Sequence, residues 1–337
     1  MSKDIMDKFV VQVDIAQEII SIVSVLIQMG HFGYRKFENK LQGTDNMKDY
    51  LKFLKEELKE WQSIVDRAQQ RCYYLTFFLA CHILAFYDYF ISEKLDKDNE
   101  EECKLLIRFV NSKAQLPSTR KDIQKILRGS KNYLEILTEI GNELEKIFKN
   151  VPKQSRKLKA TGQRIITDLV KKGEIFVASC TDKTRIPNII MSLYANHGYY
   201  PEPWQLLICT TSTTMEELTN FIRRSLFASN NGYENRLFCI ANLELLDFEL
   251  QFNLISQIKS ARDQEDYFLA LICCKEIEMH HHILDQFFSD AYVTNGLNTH
   301  AMREIYKELC QNVICVSSEL SGQAGLYVNS RNINSDL

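Results

Sequence analysis

The sequence predicts an all-α helical bundle followed by an α/β module with a mostly parallel sheet and flanking helices. Three observations carry that expectation. Through the first half, apolar residues recur every three or four positions, the spacing of one helix face. From Glu174 the texture changes to short, continuous apolar runs separated by helical stretches, the pattern of strands buried on both faces. Five Pro and twelve Gly in 337 residues are too few for a turn-rich all-β fold. The chain is expected to divide into a bundle over 1–172, the α/β module over 173–310, and a segment over 311–337 that opens like a further unit.

Residues 4–29 place Ile5, Phe9, Val13, Ala16, Ile19, Val23 and Leu26 at helical spacing before Gly30 and Gly33. The next helix is expected to run unbroken over about 46–94. Its seam begins Leu51, Leu54, Leu58, Trp61, Val65, Ala68 and continues through Cys72, Leu75, Leu79, His82, Phe86 and Tyr89. The alternating steps of three and four are those of bundles and coiled coils. Past Arg71 apolar residues surround the helix, so that part is expected to be enclosed. Shorter helices follow at about 100–112, 118–128 and 130–149, with Ser118 as N-cap of the second. After Pro152, the basic run Lys153, Arg156, Lys157, Lys159 and Arg164 reads as a solvated helix face ending near Lys172-Gly173.

In the second half, strands are expected at 175–179, 205–210, 236–241 and 267–273. The intervening helices are Ile186 to Asn196, with Pro187 in its first turn, one opened by a capping box around Thr213–Glu216 and running to Ala228, and Phe248 to Ala261. Ligands of such sheets sit at the carboxyl ends of the strands, so the loops after Ser179, Thr210, Ala241 and Cys273 are where function is expected.

The first of those loops holds Lys183 and Thr184 where a phosphate-binding loop would carry its Lys-Ser/Thr pair. Asp182 replaces the glycine before the Lys, and Val177 the other expected glycine. Without glycine the backbone does not readily wrap a phosphate, and a carboxylate there repels one. After the third strand, where an acid pair would hold Mg²⁺, Asn242 stands instead, with Glu244 the nearest carboxylate before Asp247. A second loop, with Ser321, Gly322 and Gly325, follows the apolar run Asn312–Val316 like a phosphate loop that lacks its Lys-Ser/Thr pair. These seven residues, Lys183, Thr184, Asn242, Glu244, Ser321, Gly322 and Gly325, are the candidate nucleotide-binding positions. With two independent losses, no ATP hydrolysis and no required cofactor are expected, and ATP with Mg²⁺ is held weakly at most.

His280-His281-His282 reads as a polar helix surface, because adjacent helical positions diverge by about 100° and do not share one ion. No catalytic residue and no metal site are expected. Ten Cys lie mostly inside apolar runs without a CxxC pair, as reduced, buried thiols of a cytoplasmic protein do. A net charge of −3 gives no reason to expect nucleic acid. Asp4, Asp7 and Gln17-Glu18 argue against a secretory signal. Cys72–Ile91, the one membrane candidate, contains His82 and Asp88 and reads as a buried helix, so no transmembrane segment is expected.

The runs Ile186–Gly198, Pro201–Leu218, Asn231–Asn235 and Leu237–Leu246 resemble mysterin, the family of giant RING-finger AAA+ ubiquitin ligases. The likeness is strongest over about 174–325. It implies that 174–310 is a degenerate, non-hydrolysing AAA+-like unit and that Val313–Gly325 begins the next unit of an internal fragment. It also implies other AAA+ units as partners, and ubiquitin machinery only through the full-length family, since no RING cysteines occur here. A non-catalytic scaffold segment is the leading functional expectation. A non-hydrolysing ATP/ADP-binding switch and a helical protein-interaction adaptor using the 46–94 seam are the alternatives.

Overall fold

A computed structural model describes residues 3–34, 47–94, 96–130, 132–149, 151, 170–260, 266–275, 285–286, 291–309, 313–317 and 324–328. The basic run of residues 153–164 and the His280–His282 triplet lie outside the described residues. Helix α1 (Lys3–Gln28) packs Ile19, Ile22, Val23 and Leu26 against α2 (Met47–Arg71). Its first turns carry Met6, Phe9, Val10 and Val13 exposed. Among the described residues Lys8–Gln28 is the helix long and apolar enough to cross a membrane, a stretch that sequence reasoning passed over in favour of Cys72–Ile91. Along the α2 seam Leu51, Leu54, Trp61 and Ala68 are buried where α2 meets α1 and α6 (Tyr133–Lys149), while Leu58 and Val65 are half-buried.

The helix expected to run unbroken over 46–94 is three pieces: α2, a 3-10 turn (Tyr73–Phe77) and α3 (Ala80–Ile91). Cys72 and Phe78 have extended backbone. The break has a long-range cause. The Thr76 carbonyl accepts from Arg224 Nη1 at 2.8 Å, and the Phe78 carbonyl from Asn220 Nδ2 at 3.0 Å. Side chains far along the chain thus take carbonyls that a continuous helix would have used internally. The seam pattern persists through the break because Cys72, Leu75 and Phe86 remain buried.

Helices α4 (Lys97–Val110) and α5 (Lys121–Gly129) complete this half with α6. Asp96 caps α4 by accepting from Asp98 N at 3.1 Å. Ser118 does not cap α5: the helix starts three residues later, and Arg120 at its N-cap makes no side-chain cap bond.

The second half is a five-stranded sheet in the order β2-β3-β4-β1-β5, every pair parallel. The strands are β1 (Ile175–Cys180), β2 (Leu206–Ile208), β3 (Leu237–Ala241), β4 (Phe268–Cys274) and β5 (Ala291–Val293). Between them come α7 (Ile186–His197), α8 (Met215–Leu226) and α9 (Phe248–Ser260). Pro187 sits in the first turn of α7, and Gly198, at φ 89, ends that helix in the left-handed conformation glycine tolerates. The box that opens α8 is Thr214 with Glu217: Thr214 N donates to Glu217 Oε2 at 2.7 Å, and Glu217 N to Thr214 Oγ1 at 3.3 Å.

The pleat divides the apolar residues between the two faces of the sheet. Phe176, Ala178, Cys180, Cys239 and Ile272 meet α7 through Ile186, Ile189, Ile190 and Leu193. Val177, Phe238, Ile240, Leu269 and Leu271 face α8, α9 and the helical half in one continuous core. The short edge strand β5 and helix α10 (Thr299–Leu309) have no counterpart in the sequence expectations. Leu297, Ala301, Met302 and Ile305 cover Met191 and Tyr200. Strands β6 (Val313–Ser317) and β7 (Ala324–Val328) pair antiparallel in a separate sheet.

A polar seam joins the two halves. Gln69 Nε2 donates to Asn220 Oδ1 at 2.8 Å, Tyr73 Oη to the Arg224 carbonyl at 2.9 Å, and Arg223 Nη2 lies 2.7 Å from Asp66 Oδ1. Ala80 N, at the start of α3, donates to Glu216 Oε1 at 2.6 Å. Burial raises the Glu216 carboxyl from 4.5 to about 7. A carboxyl raised on folding binds its proton more tightly when native, so its contribution to stability is greatest below about 4.5 and falls as pH rises through about 7. Glu216→Gln keeps the acceptor and removes the charge. It is expected to flatten the stability profile over that window and to melt above the wild type at its alkaline end, as thermal denaturation across pH will show.

Candidate functional site

The strands β1, β3 and β4 end together at the carboxyl edge of the sheet, where the order places β1 between β4 and β5. Chain connections leave β1 and β4 in opposite directions, and ligands of open α/β sheets occupy that kind of crevice. From β1 the chain passes Thr181 and Asp182 into a short 3-10 turn, Lys183–Arg185, and then α7. Asp182 Oδ1 accepts from Thr184 N at 2.9 Å and from Thr184 Oγ1 at 2.6 Å. Arg185 Nε lies 3.9 Å from the other carboxylate oxygen. The Thr184 hydroxyl and then its N–H hold the Asp182 carboxyl below its ordinary value. The turn therefore carries its own anion. The Thr184 hydroxyl donates its proton to Asp182, and Lys183 stands exposed beside that carboxylate.

At the end of β3, Asn242 takes φ 60 and ψ 38, and its Nδ2 donates to the Cys209 carbonyl at 3.4 Å. That bond ties the end of β3 to the segment after β2. The left-handed backbone, which Asn adopts more readily than most residues, turns the chain so that Glu244 points inward. Glu244 is 8% exposed. Its Oε2 accepts from Cys274 N at 2.9 Å, while Oε1 is buried without a partner. Cys274 pairs with Cys180 across β4 and β1, and Lys275 N donates to the Cys180 carbonyl at 2.7 Å. Glu244 is thus fixed at the β4–β1 junction.

The structure places Lys183, Thr184, Asn242 and Glu244 at one end of one sheet, but engages Thr184, Asn242 and Glu244 in internal bonds. Gly325 lies in β7 and pairs with Val316, where the sequence suggested a phosphate-type loop. Ser321 and Gly322 lie outside the described residues. Sequence reasoning treated Asp182 only as a repulsive substitution. The Asp-x-Thr spacing was the available signal for its capping role, since Asp in a turn bonds the backbone two residues on.

Thiols surround this end of the sheet. Burial pushes Cys180 and Cys209 up to about 12 and raises Cys239 and Cys273 as well; the Glu244 charge adds to the shift at Cys209 and Cys273. Such groups stay protonated and unreactive at neutral pH. Of the eight described cysteines, all free, seven are buried and Cys81 is exposed. Brief iodoacetamide treatment of the native protein is expected to label Cys81 first among these eight, as peptide mass mapping will read; equal labelling of Cys180 would contradict the packing. Among the described residues no group of three or more His, Cys, Asp or Glu is arranged to hold a metal ion.

A parallel sheet whose first strand enters a helix through a phosphate-loop position, with an acid buried beyond the third strand, belongs to the AAA-like α/β class. Residues 176–293 match the family model of the RNF213 AAA domain. Those residues are therefore similar to an AAA domain of the RNF213, or mysterin, family. No curated protein matches the chain.

Proposed function

We propose that this AAA-like segment is a non-hydrolysing scaffold in a mysterin-type protein, packing against other AAA+ units of the same or a partner chain. The observation that carries the reading is the closure of Asp182 on Thr184 by two hydrogen bonds. A loop whose Thr184 N–H and hydroxyl proton are turned onto its own carboxylate presents a negative charge where a triphosphate would sit, and keeps that N–H from a phosphate. The second loss, Asn242 at the acid position, supports the same reading. The residues present do not fit Mg²⁺-ATP as a hydrolytic substrate, and they support no hydrolytic step. The reading includes a cytoplasmic setting, for which the free, buried thiols are the support, and no nucleic-acid partner. Ubiquitin machinery is reached only through the full-length family. Steady-state ATP turnover by the purified chain is expected to stay at background. Turnover above background that Lys183→Ala abolishes would overturn the proposal.

One observation favours a second reading, a nucleotide-retaining switch that does not hydrolyse. The Glu244 Oε1 atom is buried and unpartnered at the sheet crevice, a position from which it would face a metal-bound nucleotide. A thermal-shift titration with ATP and Mg²⁺ separates the readings: no shift at millimolar nucleotide removes the switch.

A further inference from the structure

A cleft of about 650 Å³ opens in the helical half, between the end of α3, one face of α4 and the segment leading into α5. That volume suits a small ligand. Its wall carries four cations, Lys104, Arg108, Arg120 and Lys121, and two carboxylates, Glu93 and Glu100. Both carboxylates already have a cation: Glu100 lies 2.9 Å from Lys104, and Glu93 lies 3.0 Å from Arg128. Lys104 also bonds Glu101 at 2.7 Å. Counting these outside partners, five cations face three carboxylates, a balance of +2 in a chain whose net charge is −3.

The excess sits on Arg108, Arg120 and Lys121. Arg120 is held in place, donating to the Tyr89 carbonyl and lying 4.8 Å over the Tyr89 ring, with no carboxylate partner among the described residues. Arg108 and Lys121 make no ion pair among the described residues. Ser118 and Thr119 add hydroxyls to the same wall. The unspent groups are therefore donors and cations, the complement of an oxyanion with several charges.

We propose that this cleft binds a small polyphosphorylated anion, either inorganic polyphosphate or the phosphate chain of a nucleotide. The site is separate from the sheet end and does not depend on the scaffold reading. Calorimetric titration of the full chain with inorganic tripolyphosphate tests it, with ATP as the second arm. Tripolyphosphate is expected to bind, more weakly as salt rises, and Arg108→Ala or Lys121→Ala is expected to weaken it about tenfold each. Both side chains are exposed, so the variants are expected to melt like the wild type. Lys183→Ala is expected to leave the affinity unchanged. Equal sensitivity of ATP to Arg108→Ala would assign the nucleotide as a source; tripolyphosphate binding alone would assign the inorganic ion. No heat with either probe, or binding that Lys183→Ala weakens while the cleft variants do not, would overturn the proposal.

Discussion

Replacing Arg224 with alanine is expected to lower stability by about 3 kcal/mol, by removing a buried donor and opening a cavity. Arg224 is 8% exposed, and burial lowers its pKa to about 10. Among the described residues it has no carboxylate partner. The guanidinium is held instead by the Thr76 carbonyl at 2.8 Å and by the rings of Phe77 and Phe221, 5.0 and 5.2 Å from its central carbon. Without it the Thr76 carbonyl loses its donor inside the core, and the aromatic layer of Phe77, Trp204 and Tyr233 loses its support. Lysine is not expected to rescue, because it lacks the planar surface that lies between two rings. Tyr73→Phe removes a single bond from the same junction and is expected to cost about 1 kcal/mol. Urea denaturation followed by tryptophan fluorescence reads both halves, since Trp61 lies in one and Trp204 in the other. A midpoint for Arg224→Ala indistinguishable from wild type would rule out the anchoring role.

Gly141→Ala is expected to destabilise the protein by about 2 kcal/mol, although alanine in place of glycine inside a helix ordinarily stabilises by about 1 kcal/mol. The sign is reversed by packing. Gly141 lies in α6 against the break after α2, and a Cβ there would stand 2.4 Å from Cys72 Cβ and 2.7 Å from its sulfur. Leu75 Cδ1 is 3.3 Å away on the other side. The obstacle includes a Cβ fixed to backbone, so rotation of the Cys72 side chain does not clear it. Trimming Cys72 to alanine should therefore not help, whereas Cys72→Gly combined with Gly141→Ala should recover part of the loss. A double-mutant cycle from denaturant melts measures that coupling, and additive effects of the two changes would show that the contact is not the cause.

Strands β1, β3 and β4 were legible because each is a short apolar run whose two faces are both covered, so composition alone marks them. The capping-box run from Thr213 announced α8, although the box that forms is one residue on, Thr214 with Glu217, and Pro187 announced the start of α7. The break at residues 72–79 was not legible. Its seam spacing is continuous, and its cause, Asn220 and Arg224 reaching across some 140 positions of chain, leaves no local mark. Strand β5 escaped because three residues, Ala291–Val293, become a strand only by pairing with β1. At the site, the missing glycines and the Asn242 substitution could be read directly. What replaced them was only half legible: the Asp-x-Thr spacing marks the carboxylate of Asp182 filling its own turn, whereas Glu244 bound to Cys274 N depends on how the strand ends meet.

Because Arg224 and Asn220 hold the carbonyls of Thr76 and Phe78 in the break between α2 and α3, and Glu216 meets the first turn of α3, this part of the helical half takes its shape from the module it touches. A cleavage near residue 172 would not release two self-sufficient pieces. The upstream piece would lose the groups that bend it and would bare Tyr73, Tyr74 and Phe77 to water.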